Sequence, residues 1–237
     1  MKKQIILIVL LTLTFVSTTM AFRIPENQYQ YQRETVVGFG YLFPKDGESG
    51  PTLNGAYHWR LDNSVVHGPT FLWYNKKFTQ KGDVWSESNS GFSQTTYSTE
   101  YETRLTLLSP GWDLGIEFNT FKTPGLTQFV KASIGCDFLW ARETNNLFFT
   151  EGDTTATGDP VYQTVSDTDF LFGWEYNFSA GAKLQLGEKT NLYGLLGWRN
   201  SAPSRKADKT LGLPTTTEID MSGFYMQVGV IYHFWRQ

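Results

Sequence analysis

The sequence predicts an all-β protein, a closed antiparallel up-and-down β-barrel of membrane-spanning strands. Three observations lead there. Apolar and polar residues alternate with a period of two over stretches far longer than a strand of a soluble sandwich. Large aromatic residues recur on the apolar face of nearly every such stretch. Beyond the first 21 residues, no apolar run approaches the ~20 residues that a helix needs to cross a bilayer. Ten strands are expected, with eight as the alternative.

The N-terminus reads as an export signal. Lys2 and Lys3 supply the positive start and residues 5–16 the apolar stretch. Thr19-Met20-Ala21 supplies small residues at the cleavage positions. The expected division is therefore a signal peptide over 1–21 and one barrel domain over 22–237. Cys136 is the single cysteine, so no disulfide forms within the chain, and stability has to come from packing or from the bilayer. A net charge of −3 gives no basic footprint for nucleic acid. Eight Trp, twelve Tyr and eighteen Phe suit a barrel girdled by aromatics.

Taken in order, the strands begin with Val37, Phe39, Tyr41 and Phe43 on one face, opposed by Glu34, Gly38 and Gly40. Residues 53–61 and 65–78 are less clean. In 95–107, Tyr97, Thr99, Tyr101, Leu105 and Leu107 are expected outward, against Ser98, Glu100, Glu102, Arg104 and Thr106. Ser109-Pro110-Gly111 reads as a tight turn. After it, Trp112, Leu114, Ile116 and Phe118 oppose Asp113, Gly115, Glu117 and Asn119. Residues 128–142 set Val130, Ala132, Ile134, Cys136, Phe138 and Trp140 against Lys131, Ser133, Gly135, Asp137 and Ala141. The cleanest alternation runs over 170–187, from Phe170 and Phe172 to Leu184 and Leu186 on the even positions. Residues 190–199 form a further strand. In the last one, Phe224, Met226, Val228, Val230, Tyr232 and Phe234 oppose Gly223, Gln227, Gly229 and His233.

Tight turns are also expected at 62–64 and 187–190, and long polar loops at 44–52, 79–90, 143–169 and 200–218. Barrels of this kind have short inner turns and long outer loops. The named segments number nine, so parity asks for a tenth, placed at 147–150. An eight-stranded ring results if 53–61 and 65–78 form a hairpin outside the membrane band. The apolar faces carry more large aromatics than one sandwich core could bury, and strands in a bilayer leave no backbone group unpaired only by closing on themselves.

At the C-terminus, Gln227-Val228-Gly229-Val230-Ile231-Tyr232-His233-Phe234 resembles the β-signal of outer-membrane proteins. Gln227, Gly229, Tyr232 and Phe234 fill the polar, glycine and two aromatic places of that pattern. The resemblance is to the superfamily of small outer-membrane β-barrel proteins, and to no single family within it. It implies a chain inserted in the outer membrane of a Gram-negative-type bacterium by the barrel-assembly machinery. It carries no active site over. Trp235-Arg236-Gln237 follow the last aromatic, where the pattern usually ends.

The functional expectation is a structural or interaction protein with surface-exposed loops. The alternatives are a narrow channel for small solutes and a barrel enzyme modifying lipid or peptide. No catalytic constellation, metal set or cofactor is expected. His58 and His67 flank the 62–64 turn with Ser64 between them, and His233 lies inward near the inner end. Glu100, Glu102, Arg104, Asp113, Glu117, Lys131, Asp137, Glu175 and Lys183 are expected in the lumen, filling it as mutually satisfied charges rather than lining a pore. Arg199, Arg205, Lys206 and Lys209 are expected around the last long loop, where basic groups can meet lipopolysaccharide phosphates or a surface partner.

Overall fold

In the computed structural model, residues 31–62, 64–89, 93–119, 123–152, 161–206 and 217–235 are described. The expected signal peptide lies outside them. All regular structure among them is β. The strands are β1 (Tyr31–Pro44), β2 (Gly50–Arg60), β3 (Val65–Asn89), β4 (Ser93–Phe118) and β5 (Leu126–Gly152). They continue with β6 (Val161–Gln185), β7 (Thr190–Ser201), β8 (Ser204–Arg205), β9 (Thr217–Glu218) and β10 (Gly223–Trp235).

The sheet holds ten antiparallel strands, as expected. β8 and β9 have two residues each and form a small arm on β6 at Phe172↔Ser204. The other eight close into a ring. β1 pairs with β10, β10 with β7, β7 with β6 and β6 with β5, and the ring returns through β4, β3 and β2. The two strands that bring the count to ten are therefore β8 and β9. The strand expected at 147–150 is instead the upper part of β5. The hairpin of 53–61 and 65–78 lies in the ring.

Alternation places the faces. Val37 on β1, Leu114 on β4, Ile134 on β5, Leu196 on β7 and Val228 on β10 are exposed on the outer surface. Aromatics bound this aliphatic band at both ends. At the end where β1 begins and β10 ends (the terminal end below), Trp59 stacks on Trp112 at 5.8 Å, and Tyr232 meets Phe234 edge-on at 5.0 Å. At the other end, Phe43, Phe224, Trp198 and Phe178 stand in one row across four strands, with Phe138, Trp140, Phe170 and Phe172 clustered nearby.

The connections from β2 to β3 and from β6 to β7 are short and lie at the terminal end. Asp62 Oδ1 ties the first by accepting the Ser64 and Val65 amides at 2.7 Å. Ser109-Pro110-Gly111 is not a turn. It lies within β4, where Pro110 opposes Phe71 of β3 and the ladder to β5 skips from Leu108↔Phe138 to Gly111↔Gly135. A proline has no N–H to give, and the gap on the β5 side accommodates that.

The polar stretches 79–90 and 143–169, expected as loops, are strand among the described residues, whereas 45–49 connect β1 to β2 as a loop. β3 to β6 run 25–27 residues while β1, β2, β7 and β10 run 11–14. Above Tyr74 of β3 and Phe172 of β6, a four-stranded sheet continues past the rim, by about a dozen residues or ~40 Å of strand.

Candidate functional site

The interior of the ring is the best-defined site, and its inward positions are filled by side chains. An eight-stranded barrel is about wide enough for that. Three layers follow one another from the terminal end.

The first is a charged network. His58 lies opposite Gly68, whose backbone (φ +156°) leaves no room for a side chain: a Cβ there would sit 2.0 Å from the Tyr57 carbonyl oxygen. His58 is buried, with Nδ1 at 3.0 Å from Glu34 Oε1 and Nε2 at 3.1 Å from Asp113 Oδ2. Carboxylates only accept, so both hydrogen bonds form when each ring nitrogen carries a proton. Lys131 Nζ also reaches Asp113, at 2.9 Å. Lys183 bridges Glu34, at 3.3 Å, and Glu117, while Arg60 Nη2 holds Glu117 at 2.8 Å. His233 sits 3.7 Å from Glu34 through Nδ1 and 3.0 Å from Asn191 through Nε2.

The second layer centres on Arg199 of β7. Its Nη2 bonds Asp137 and Ser109 Oγ (2.8 Å), and its Nη1 lies 2.7 Å from Glu175 Oε2 as an ion pair without hydrogen-bond geometry. Ser201 and Ser109 both donate to Asp137. Small voids of about 10 and 30 Å³ lie among these groups, room for a few water molecules.

The third layer is apolar. Leu42, Tyr74, Leu107, Leu139, Leu171 and Met221 are each 0% exposed and close the interior at the outer end. Met221 is held there by a backbone bond to Ser201. Just above, the Lys45–Asp220 pair (2.8 Å) ties the β1–β2 connection to the segment before β10. That bond from Lys45 holds the Asp220 carboxyl below its ordinary range.

Six of the charges expected in the lumen are there: Asp113, Glu117, Lys131, Asp137, Glu175 and Lys183. Glu100, Glu102 and Arg104 are not. β4 is one unbroken strand, so these even positions share the outer face of Leu108 and Trp112, and Leu105 and Leu107 point inward. Arg199, expected near the outer loop, is buried in the lumen, and Arg205 pairs with Asp169. Lys206 is exposed, and Lys209 lies outside the described residues.

His58 and His67 are not brought together. His67 faces outward, 5.7 Å from the Trp59 ring, and Ser64 Oγ is bonded to Asp62. Of the C-terminal motif, Gln227 and Gly229 face inward, and Tyr232 and Phe234 face outward. Gly229 opposes Gly38, and the ring of Tyr193 lies across both; a Cβ on Gly229 would be 2.7 Å from that ring and 2.2 Å from the Val37 carbonyl oxygen.

Sequence reasoning missed His58 and Arg199 as network members. Parity could have found Arg199, which shares odd positions with Asn191, Tyr193 and Leu195. Parity could also have placed His58 and Arg60 inward, since they share even positions with Thr52 and Asn54 against Leu53, Tyr57 and Trp59; only their partners depend on register between strands.

A ring without free edges, with an aliphatic band between two aromatic girdles and a polar, packed interior, defines a membrane-spanning β-barrel of the outer-membrane type. Similar architectures are found in Neisserial surface protein A (11% identity, TM-score 0.46, covering 86% of this chain and 97% of that one). OprG from Pseudomonas aeruginosa (9%, TM-score 0.46, 88% and 98%) and Ail of Yersinia pestis (10%, TM-score 0.38, 86% and 99%) are further examples. At these identities and scores the likeness goes no further than a small-barrel architecture. No protein-family model matches the chain, and neither does any curated sequence.

Proposed function

We propose that this chain is a closed outer-membrane barrel that acts as a structural and interaction protein, anchored by its ring and presenting the projecting β3–β6 sheet at the cell surface. The observation that carries this reading is the apolar layer of Leu42, Tyr74, Leu107, Leu139, Leu171 and Met221, stacked on an interior of mutually bonded charges. A conduit for polar solutes would need a continuous wet path, and an apolar seal with no exposed surface opposes one.

Planar-bilayer recording tests it. The folded protein should insert without steady unitary current. A reproducible ohmic step from the wild-type protein would overturn the reading in favour of a narrow channel.

On this reading residues 1–21 direct export, and Gln227, Gly229, Tyr232 and Phe234 present the last strand to the barrel-assembly machinery. Phe234→Ala should then lower the fraction of heat-modifiable, folded protein in isolated outer membranes while leaving in-vitro folding in detergent intact. Equal loss in both settings would assign Phe234 a purely structural role.

A further inference from the structure

On the outer face just beyond the upper aromatics, Lys77 of β3 stands directly opposite Arg104 of β4, and Arg104 directly opposite Arg142 of β5. Three cations thus form one row across three adjacent strands, and all three are exposed. Two registers below lies Trp73↔Leu108↔Phe138↔Phe172, and one below lies Asn75↔Thr106↔Trp140↔Phe170.

Like charges directly opposite on a sheet repel one another and weaken it. Glu102 relieves Lys77 alone, at 2.6 Å. Among the described residues, neither Arg104 nor Arg142 has a carboxylate within ion-pairing distance. Repulsion of this kind is offset when an anion sits over the row. Tryptophan and its aromatic neighbours take up the interface between hydrocarbon and headgroups, so the row a step further out stands at headgroup height. Guanidinium groups bind phosphate oxygens through two parallel N–H donors.

We propose that Lys77, Arg104 and Arg142 form a binding site for the phosphate groups of lipids in the outer leaflet, docked flat against the barrel wall. This rests on the membrane placement and on the end where β1 begins and β10 ends facing the periplasm.

The test uses the folded barrel in dodecyl maltoside, which carries no phosphate, with bound lipid read by native mass spectrometry. The probes are bisphosphorylated lipid A, lipid A stripped of its phosphates, and inorganic phosphate. Wild type should retain the bisphosphorylated lipid and not the stripped one. The K77Q/R104Q/R142Q variant should bind it on the order of a hundredfold more weakly, from a factor of about five per cation near a membrane surface. Lys206→Gln, a cation removed elsewhere at the same end, should change affinity by about twofold or less.

Undiminished binding by the triple variant overturns the proposal. Equal competition by inorganic phosphate would overturn the lipid assignment. Thermal unfolding separates a structural role: with no anion present, Arg104→Gln should leave the barrel as stable as wild type or more so, and a clear loss would count against the site. Failure of the membrane placement itself would show independently, as protein recovered in the detergent-free soluble fraction.

Discussion

Replacing Arg199 with Met should be among the costliest single changes in this barrel. The guanidinium is 2% exposed and is the cation that Asp137 (0%) and Glu175 (3%) share. Methionine keeps the unbranched stem, ends short of the guanidinium nitrogens and removes the charge. Breaking a buried ion pair from one side costs about 3–5 kcal/mol, because the remaining charge is left uncompensated. Here two carboxylates lose their counterion at once, although Ser109 and Ser201 still donate to Asp137. A net loss of about 4 kcal/mol is expected, a large share of the ~5–15 kcal/mol typical of a folded domain. Equilibrium urea unfolding of the barrel in detergent micelles, followed by tryptophan fluorescence, measures it. Removing the stranded charges as well, in R199M/D137N/E175Q, should restore part of the loss, since the amides leave no charge uncompensated although they bring buried donors that need partners. A cost under about 1 kcal/mol for R199M would refute the reasoning. No recovery in the triple variant would place the cost in packing rather than in charge.

Three further outcomes are expected. His58→Leu should cost less than R199M, about 2–3 kcal/mol in the same unfolding assay, because Asp113 keeps Lys131 and Glu34 keeps Lys183. Gly229→Val should block folding in detergent or cut its yield sharply, as seen by heat-modifiable migration, and Tyr193→Ala should relieve only the part of the clash that involves the ring and leave the one with the Val37 carbonyl. At the outer end, Lys45→Gln should let the Asp220 carboxyl rise toward its ordinary value in an NMR pH titration. Because Asp220 is depressed in the folded protein, the pair's small contribution is present above the usual carboxylate range and fades as pH falls through the folded value.

Much of the fold was legible because two-faced strands announce themselves. Residues 128–142, 170–187 and 223–234 gave the correct face at every position named. β4 did not, and the reason is arithmetical. Leu107 and Trp112 are five positions apart, so one continuous strand must send them to opposite sides, and only a turn could set both outward. Pro110 looked like that turn. In fact apolarity changes side at the rim: below it grease faces the membrane, and above it Leu105 and Leu107 face inward to seal the lumen. Alternation reports a period and never a side, so Glu102 and Arg104 were assigned to the wrong one. The polar stretches 79–90 and 143–169 read as loops for a related reason: strands that leave the bilayer no longer need a greasy face. The charged groups of the lumen were visible individually. Their partnerships, and the row Lys77–Arg104–Arg142, depend on register between strands, which no single stretch of sequence encodes.

The seam between first and last strands has a kinetic corollary. Thirteen residue pairs join β1 to β10, from Tyr31↔Trp235 to Pro44↔Gly223, whereas neighbouring long strands from β1 to β7 meet as hairpins. Hairpins can zip as soon as each is made, but this junction has to wait for β10 and bear the entropy of closing all the chain between β1 and β10. Until then a curved ribbon with two sticky margins exists, ready to join any strand it meets. A chain cut short before residue 223 should therefore never mature into a smaller barrel; it should remain an unsealed ribbon, cleared or clumped.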